Sequence, residues 1–411
     1  MLLASGACSL IYEVVWARQL VLYLGRTSVA HATVIATFLG GLALGYALIA
    51  KRCDQVQRPL RLYALLELSI SLWCMAFPLL LPTAVQWSEQ FADGAVARVL
   101  AAAAVMAVPT TCMGATLPLA VTVIERDAER GGGVLARLYA LNSLGAVIGC
   151  LLAGYVMLER LGMTTTLRTA ATLNLLIAAT AWLLARTLPA RPRPTPNKAA
   201  PGPRMARDGS ADRALLVAAL VGASTLALQA LWMRLFGVVM GSSTYSFTLV
   251  LAAFISGIAA SSAWLSGHIA TDERPFRTLA WLLGASALAV YLGGFLVPMM
   301  PWCFARLRES WAPSPSDFAL HEAVKAALIF AFVAIPSGLA GGALPILGQI
   351  EMRRCRSSGW GTARTYAVNT AGAVLSAAFA STWLLPRLGL EGLSLAGSGL
   401  LALAAVLALW T

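Results

Sequence analysis

Long apolar runs extend from one end of the chain to the other, and they constrain its fold more than any other feature. Of the 411 residues, 59% are hydrophobic and only 12% are charged, whereas a soluble domain carries roughly 25% charged residues. A run of about 18 or more apolar residues is long enough to cross a bilayer as a helix. The pattern excludes a soluble enzyme, a disordered chain and a disulfide-rich scaffold. It predicts an all-α, polytopic membrane protein.

The apolar runs predict about 12 transmembrane helices. They lie at about residues 2–24, 28–50, 61–83, 96–124, 135–158, 163–185, 214–236, 243–266, 277–300, 320–350, 363–385 and 390–410. The fourth and tenth spans contain prolines, which predict kinks there. Residues 191–212 are rich in proline and arginine, as is typical of an extended linker. We therefore expect an N-terminal six-helix bundle at 1–190, a linker, and a C-terminal six-helix bundle at 213–411.

The positive charge of the chain is placed where it would orient the protein in a membrane. The net charge is +12, and 20 of the 30 lysines and arginines lie in or beside the loops that follow the even-numbered spans. Because cytoplasmic loops carry an excess of Lys and Arg, both termini are predicted to be cytoplasmic in an inner (plasma) membrane of bacterial type. Membrane lipids are the predicted surroundings. No zinc-finger or RNA-binding signature accompanies the charge, so nucleic acid is not a predicted partner.

The second half of the chain repeats the first. With a shift of 216 residues, Trp-x-Arg at 16–18 aligns with Trp-x-Arg at 232–234. Further along the shift becomes 227, and Arg-x-Tyr-Ala-x-Asn at 137–142 aligns with the same motif at 364–369. The difference between 227 and 216 predicts an 11-residue insertion near the third external loop of the second half. Because six spans per copy is an even number, both copies enter from the same side. This is the parallel-repeat architecture of major-facilitator proteins, in which the halves rock around a substrate site between them.

Several motifs resemble the membrane region of spermidine-synthase-like transmembrane proteins. They are SerLeuIleTyrGluValValTrpAlaArg (9–18), PheLeuGlyGlyLeuAlaLeuGly (38–45), ArgProLeuArgLeuTyrAlaLeuLeuGluLeu (58–68), ProThrThrCysMetGlyAlaThrLeuPro (109–118) and LeuTyrAlaLeuAsnSerLeuGlyAlaValIleGly (138–149). The resemblance implies a major-facilitator-like membrane part and polyamine-like cations as the substrate class. One departure is Glu13, where the family pattern favours Gln, as found at Gln229 in the second half.

A second departure concerns chemistry. In that family a soluble aminopropyltransferase domain often follows the membrane part. This sequence shows no Gly-rich strand–turn–helix motif for a nucleotide-like cofactor and no acidic active-site cluster. The aminopropyl transfer that the resemblance implies is therefore assigned to no residue, and no cofactor is predicted.

Five polar residues within the spans are candidates for a substrate or proton site. Glu13 lies midway along the first span and Glu67 about two turns into the third. A carboxylate near the bilayer centre costs roughly 2.5–3.5 kcal/mol on insertion scales, so it suggests a function. The alternative is a carboxyl bonded to a neighbouring helix or, for Glu67, to a loop arginine. Gln229, Asn142 and Asn369 complete the set, and their alternative is a structural hydrogen bond between helices.

Four further residues are candidates for an external gate or for anchors at the membrane interface. Arg18 and Arg234 lie near the external ends of the first spans of the two halves, with Trp16 and Trp232 beside them. Arginine side chains at such positions extend to the headgroups, and tryptophans favour the interface. The seven cysteines and three histidines show no metal-ligand spacing, so no metal site is predicted.

These observations lead to three hypotheses on function. The first is a major-facilitator-like transporter for small organic cations such as polyamines. The second is a membrane scaffold that does not transport and that binds a separately encoded soluble synthase or another membrane complex. The third, an intramembrane enzyme, has no nucleophile–base pair in its favour.

Overall fold

The computed structural model describes residues 1–25, 27–50, 52, 55–90, 94–124, 131–188, 209–241, 243–269, 272–310 and 318–410, and within these ranges it has helices and no strands. The helices are α1 (Leu2–Leu24), α2 (Thr27–Ala50), α3 (Pro59–Glu89), α4 (Ala95–Ile124), α5 (Gly131–Leu152), α6 (Leu158–Thr187), α7 (Gly209–Met240), α8 (Thr244–Leu265), α9 (Pro275–Gly294), α10 (Met300–Ser310), α11 (Phe318–Gly341), α12 (Ala343–Cys355), α13 (Ser358–Phe379) and α14 (Leu385–Leu409).

These helices provide the twelve crossings that the sequence predicts. In the described part of the chain, ten stretches are long and apolar enough to span a membrane. One of them, residues 132–187, contains both α5 and α6. The other crossing is α13, whose buried residues include Thr362, Thr365 and Thr370. The predicted fold class, an all-α membrane protein of two parallel six-helix repeats, is confirmed.

The tenth crossing is interrupted rather than simply kinked. It consists of α11, which ends at Gly341, and α12, which begins at Ala343. Pro336 lies inside α11 without ending it. The interruption comes just before Pro345, which has no N–H to donate to the carbonyl of Gly341 four residues earlier. The fourth crossing contains two prolines and remains one helix, α4.

The repeat is visible in the backbone. A π-helical turn at 153–157 leads from α5 into α6, and another at 380–384 leads from α13 into α14. Gly162 has φ +71° and Gly389 has φ +68°, so each turns the chain where a residue with a Cβ would be strained. These features are 227 residues apart, which is the shift that the sequence motifs give.

The repeat is equally visible in side-chain packing. The ring centroids of Trp16 and Phe38 lie 6.4 Å apart with planes at 59°. The equivalent pair, Trp232 and Phe254, has a spacing of 6.2 Å and planes at 55°. Each pair lies in the interior of its own half, so the same packing geometry builds both halves.

The predicted insertion is the helix α10, which is 11 residues long. It lies between α9 and α11, in the loop where the two alignment shifts differ. Phe304 on α10 is buried, and its ring packs against Phe236 on α7 at a centroid distance of 6.1 Å. The insertion is therefore docked onto the end of the second half.

The two halves meet along two helix pairs, α5 with α8 and α2 with α13. Within each half, α1 packs on α5 and α7 packs on α13. Small residues allow these approaches, because a Cβ on Gly6 would lie 2.1 Å from the carbonyl oxygen of Asn142, and one on Gly222 would lie 2.0 Å from that of Asn369. Most of the predicted linker, residues 191–212, lies outside the described residues.

Glycines on α2 provide a paired test of this packing. A Cβ at Gly45 would lie 2.1 Å from the carbonyl oxygen of Thr111, whereas a Cβ at Gly40 meets nothing within 4 Å. We expect Gly45→Ala to lower the stability by about 1–3 kcal/mol because α2 and α4 must move apart. Gly40→Ala should leave it unchanged or slightly higher, since alanine favours helix. Thermal unfolding of the purified variants measures the difference, and equal melting temperatures would contradict it.

Candidate functional site

A cavity of about 230 Å³ lies between the two halves. Helices α1, α2, α4 and α5 form its wall on one side, and α7, α8, α11, α12 and α13 form the other. Its polar lining residues are Ser5, Ser9, Glu13, Tyr46, Thr116, Tyr139, Asn142, Ser143, Thr225, Gln229, Tyr366, Asn369 and Thr370. The rest of the lining is apolar. The structure thus brings Glu13, Asn142, Gln229 and Asn369 to one space.

The polar residues of α1 form a stripe that faces the cavity. Ser5, Ser9 and Glu13 are spaced four residues apart, and this spacing places them on one face of a helix. The equivalent positions of α7 contribute Thr225 and Gln229 to the lining. The two serines are not among the residues predicted from the sequence, although their four-residue spacing from Glu13 is the signal that identifies them.

The Glu13 carboxyl is buried and contacts the cavity. Among the described residues, none of the hydrogen bonds or ion pairs uses this carboxyl. A buried carboxylate without a donor or counter-charge is unfavourable unless something else supplies one. The geometry therefore leaves the two oxygens of Glu13 available to a molecule in the cavity. Its repeat equivalent, Gln229, is equally buried and can offer an amide.

The two asparagines lie at equivalent helix contacts, one in each half. The side-chain nitrogen of Asn369 donates to the carbonyl oxygen of Ala218 at 2.9 Å, which joins α13 to α7. Asn142 lies at the equivalent contact of α5 with α1, where Gly6 gives it room. Both asparagines line the cavity, so Asn369 combines a structural bond with a position at the site.

Glu67 lies outside the cavity, in a buried network between α1, α3 and α6. Ser5 Oγ donates to Glu67 Oε1 at 2.7 Å, and the side-chain nitrogen of Asn174 donates to Glu67 Oε2. Tyr12 OH donates to Asn174 Oδ1 at 2.9 Å. The alternative partner weighed from the sequence, a loop arginine, forms no ion pair with Glu67 in the described part of the chain.

The gate and anchor candidates occupy two different environments. Arg18 and Arg234 are exposed, and Arg18 donates to Thr244 Oγ1 at the beginning of α8. This bond joins the two halves. Trp16 and Trp232 are buried, so the prediction that the indoles anchor the protein at a lipid interface is wrong. Each indole instead fills the interior of its half.

Aromatic and polar contacts join the two halves toward both ends of the helices that line the cavity. At the near end, where α1 begins, the ring centroid of Tyr366 is 5.4 Å from Tyr46 and 5.4 Å from Tyr139. At the far end, where α1 ends, Tyr155 lies 4.9 Å from Tyr245, and its hydroxyl donates to Glu322 at 3.1 Å. The halves are therefore in contact at two levels, one toward each end of α1.

A third buried acid, Glu351, lies beneath the near-end contacts. Glu351 on α12 is buried and forms ion pairs with Arg354 and with Arg364 on α13, each at 3.3 Å. Its position in the sequence, at the edge of a basic loop, does not mark it as buried. Because both oxygens have an arginine partner, this carboxyl holds α12 and α13 together and is not available to a ligand.

No protein-family model and no curated protein matches the sequence. Solved structures do match the fold. The human organic anion transporter MFSD10 (TETRAN) has a TM-score of 0.60 at 16% identity, over 99% of this chain and 97% of that chain. The proton:xylose symporter XylE has a TM-score of 0.58 at 11% identity, over 98% and 93%. FucP, in an outward conformation, has a TM-score of 0.58 at 13% identity, over 99% and 98%.

At these identities the comparisons show the fold alone. The chain has the fold of major facilitator superfamily transporters, across nearly the whole of its length and of theirs. The expected parallel six-helix repeats agree with this result.

The hydrogen bond between Tyr155 and Glu322 allows a test of whether this contact holds the far end of the two halves together. Tyr155→Phe removes the hydroxyl that bonds to Glu322, and a bond to a charged group contributes about 1.5–3 kcal/mol. We expect a cysteine introduced at Thr225, in a variant whose native cysteines are replaced by alanine, to react roughly tenfold faster with a far-side maleimide. Tyr291→Phe, at an exposed tyrosine of α9, is the control. An unchanged rate in Tyr155→Phe would show that this contact does not hold the far end closed.

Proposed function

We propose that the protein is a membrane transporter that carries a small organic cation through the cavity by alternating access. The observation that carries the proposal is the charge of the lining. Among the described residues that line the cavity, Glu13 is the one carboxyl, and there is no lysine, arginine or histidine. A cation would supply the counter-charge that the buried carboxylate lacks.

The tyrosines at the near end support the same substrate class. Tyr46, Tyr139 and Tyr366 place three aromatic rings around the floor of the cavity. Aromatic faces attract organic ammonium groups, by roughly 2 kcal/mol when the site is desolvated. An anion would meet a carboxyl and electron-rich rings there. A cation is therefore favoured over the organic anions named for MFSD10.

Polyamines are the first cations to test, because the sequence motifs resemble spermidine-synthase-like transmembrane proteins. The lining offers one carboxyl, which matches one ammonium group. Further ammonium groups would depend on the amide and hydroxyl oxygens of Asn142, Gln229 and Ser9. A cation with a single charge, such as tetraethylammonium, is therefore the informative comparison for spermidine.

The contacts at both ends support a mechanism in which the halves rock. Residues 1–190 and 213–411 are the proposed rigid units, and the Tyr366 and Tyr155 contacts are the ones that must open in turn. The excess of Lys and Arg in the near-end loops supports a cytoplasmic near end in a plasma membrane of bacterial type. On this arrangement the beginning of α1 and the end of α14 both lie on the cytoplasmic side.

The central test replaces the carboxyl of Glu13. We expect Glu13→Gln to reduce spermidine and tetraethylammonium uptake into proteoliposomes by about 10- to 100-fold, the equivalent of a lost charge-assisted bond. Glu89→Gln, at an exposed carboxyl at the end of α3, should transport normally. Because a cation binds the ionised carboxylate, binding to the unaltered protein should weaken as the pH falls, and this dependence should diminish in Glu13→Gln.

Three outcomes would contradict the proposal. Uptake of both cations that is equal in Glu13→Gln and the unaltered protein would remove the role of the carboxyl. If the protein bound neither cation, or if xylose or an organic anion bound at this cavity instead, the proposed substrate class would be wrong.

A further inference from the structure

The network around Glu67 has no counterpart in the second half. With the shifts of 216 and 227, the residues equivalent to Ser5, Tyr12, Glu67 and Asn174 are Val221, Leu228, Leu283 and Leu401. All four are buried in the hydrophobic interior of the second half. The same helix packing is therefore stable with apolar side chains at every one of these positions.

The comparison of the two halves distinguishes the Glu67 network from the hydrogen bonds that the fold needs. Nearby hydrogen bonds that the scaffold uses are retained in both halves: Cys8 Sγ donates to the carbonyl of Ala170, and its equivalent Ser224 Oγ donates to the carbonyl of Gly397. A polar network that packing does not require, and that buries a carboxyl completely, is expensive to keep in a membrane protein. Such a group suggests a function that the apolar half does not perform.

Ser5 connects this network to the cavity. Its hydroxyl donates to Glu67 Oε1, and the same residue is part of the cavity lining. The other donor, the Asn174 amide, cannot reverse, because its oxygen already accepts from Tyr12. A serine hydroxyl both donates and accepts. Of the two side chains that donate to Glu67 in the described part of the chain, Ser5 is the one that can accept a proton while it releases its own.

We propose that Glu67 is a proton-binding site, separate from the cation-binding Glu13, and that it exchanges its proton with the cavity through Ser5. When Glu67 is protonated on Oε1, its O–H donates to Ser5 Oγ. On release, that O–H bond breaks as a new O–H bond forms on Ser5. The original hydroxyl hydrogen of Ser5 passes to a water molecule in the cavity. The carboxylate that remains is held by Ser5 and Asn174.

The groups that face Glu67 are compatible with a change of protonation there. From α1 they are Tyr12, Cys8 and the Met1 amino group, and from α3 Tyr63. From α6, the facing group is the neutral Asn174. No lysine, arginine or histidine side chain of the described residues forms an ion pair with Glu67. The two side chains that donate to the carboxylate, Ser5 and Asn174, are neutral, and the cation that faces it is the Met1 amino group. No side-chain ion pair fixes Glu67 in the charged state as a paired arginine would.

The inference rests on the proposed function only for its use in transport, since a proton site that opens into the cation cavity would couple proton binding to cation binding.

The proton site itself is testable without any cation. The full chain in nanodiscs is titrated with pH while infrared difference spectra record the carboxyl groups. We expect one pH-dependent carboxyl signal to be lost in Glu67→Gln and kept in Glu13→Gln. Hydrogen–deuterium exchange at that carboxyl should be roughly tenfold slower in Ser5→Val, in which one hydrogen bond to the site is lost.

A second variant tests the same site in case a single substitution prevents folding. The replacement of all four residues by their second-half equivalents (Ser5→Val, Tyr12→Leu, Glu67→Leu and Asn174→Leu) should fold, since the second half packs in this way, and should lack the same signal. A Glu67→Gln or four-residue variant that keeps every signal of the unaltered protein would overturn the inference. So would an exchange rate in Ser5→Val equal to that of the unaltered protein. If neither cation were taken up, the proposed function would be wrong, and the infrared spectra would still decide whether Glu67 binds a proton.

Discussion

A carboxyl group inside a membrane protein is stable only where other groups replace the water that it has lost. Three acids among the described residues are buried, and each meets that requirement in a different way. Glu351 is paired with two arginines and joins two helices. Glu67 is held by Ser5 and Asn174. Glu13 faces the cavity with no partner among the described residues. The three arrangements correspond to three roles: a structural ion pair, a proposed proton site and a proposed cation site.

The backbone and the helix packing follow the sequence repeat closely, whereas the candidate functional side chains differ between the halves. The π-helical turns, the positive-φ glycines and the Trp–Phe pairs recur at the expected shifts. By contrast, Glu13 corresponds to Gln229, and Glu67 corresponds to Leu283. A duplicated bundle supplies the symmetry that the proposed movement of the two halves requires. The differences at these positions give one half acidic side chains that the other lacks, and they are where we propose that a cation and a proton bind.

Much of the fold could be predicted from the sequence, because hydropathy and the repeat are properties of the chain alone. The spans, the parallel repeats and the insertion that forms α10 follow from them. The break at Gly341 depends on the local geometry before Pro345, and an internal proline does not by itself predict it. The position of the Trp16 side chain could not be predicted either, since the composition of a helix end does not show whether an indole faces lipid or the protein interior. Glu13, Gln229, Asn142 and Asn369 could be named from the sequence as candidates, whereas the Tyr155–Glu322 contact joins residues with no common sequence signal.

The central claim is that the space between the halves binds a cation through Glu13. The most direct measurement is an experimental structure of the full chain in nanodiscs with tetraethylammonium present. We predict density for the cation between the repeats, with the Glu13 carboxyl and the near-end tyrosine rings in contact with it. A cation bound elsewhere, with the Glu13 carboxyl instead bonded to a neighbouring helix, would contradict a cation site at Glu13.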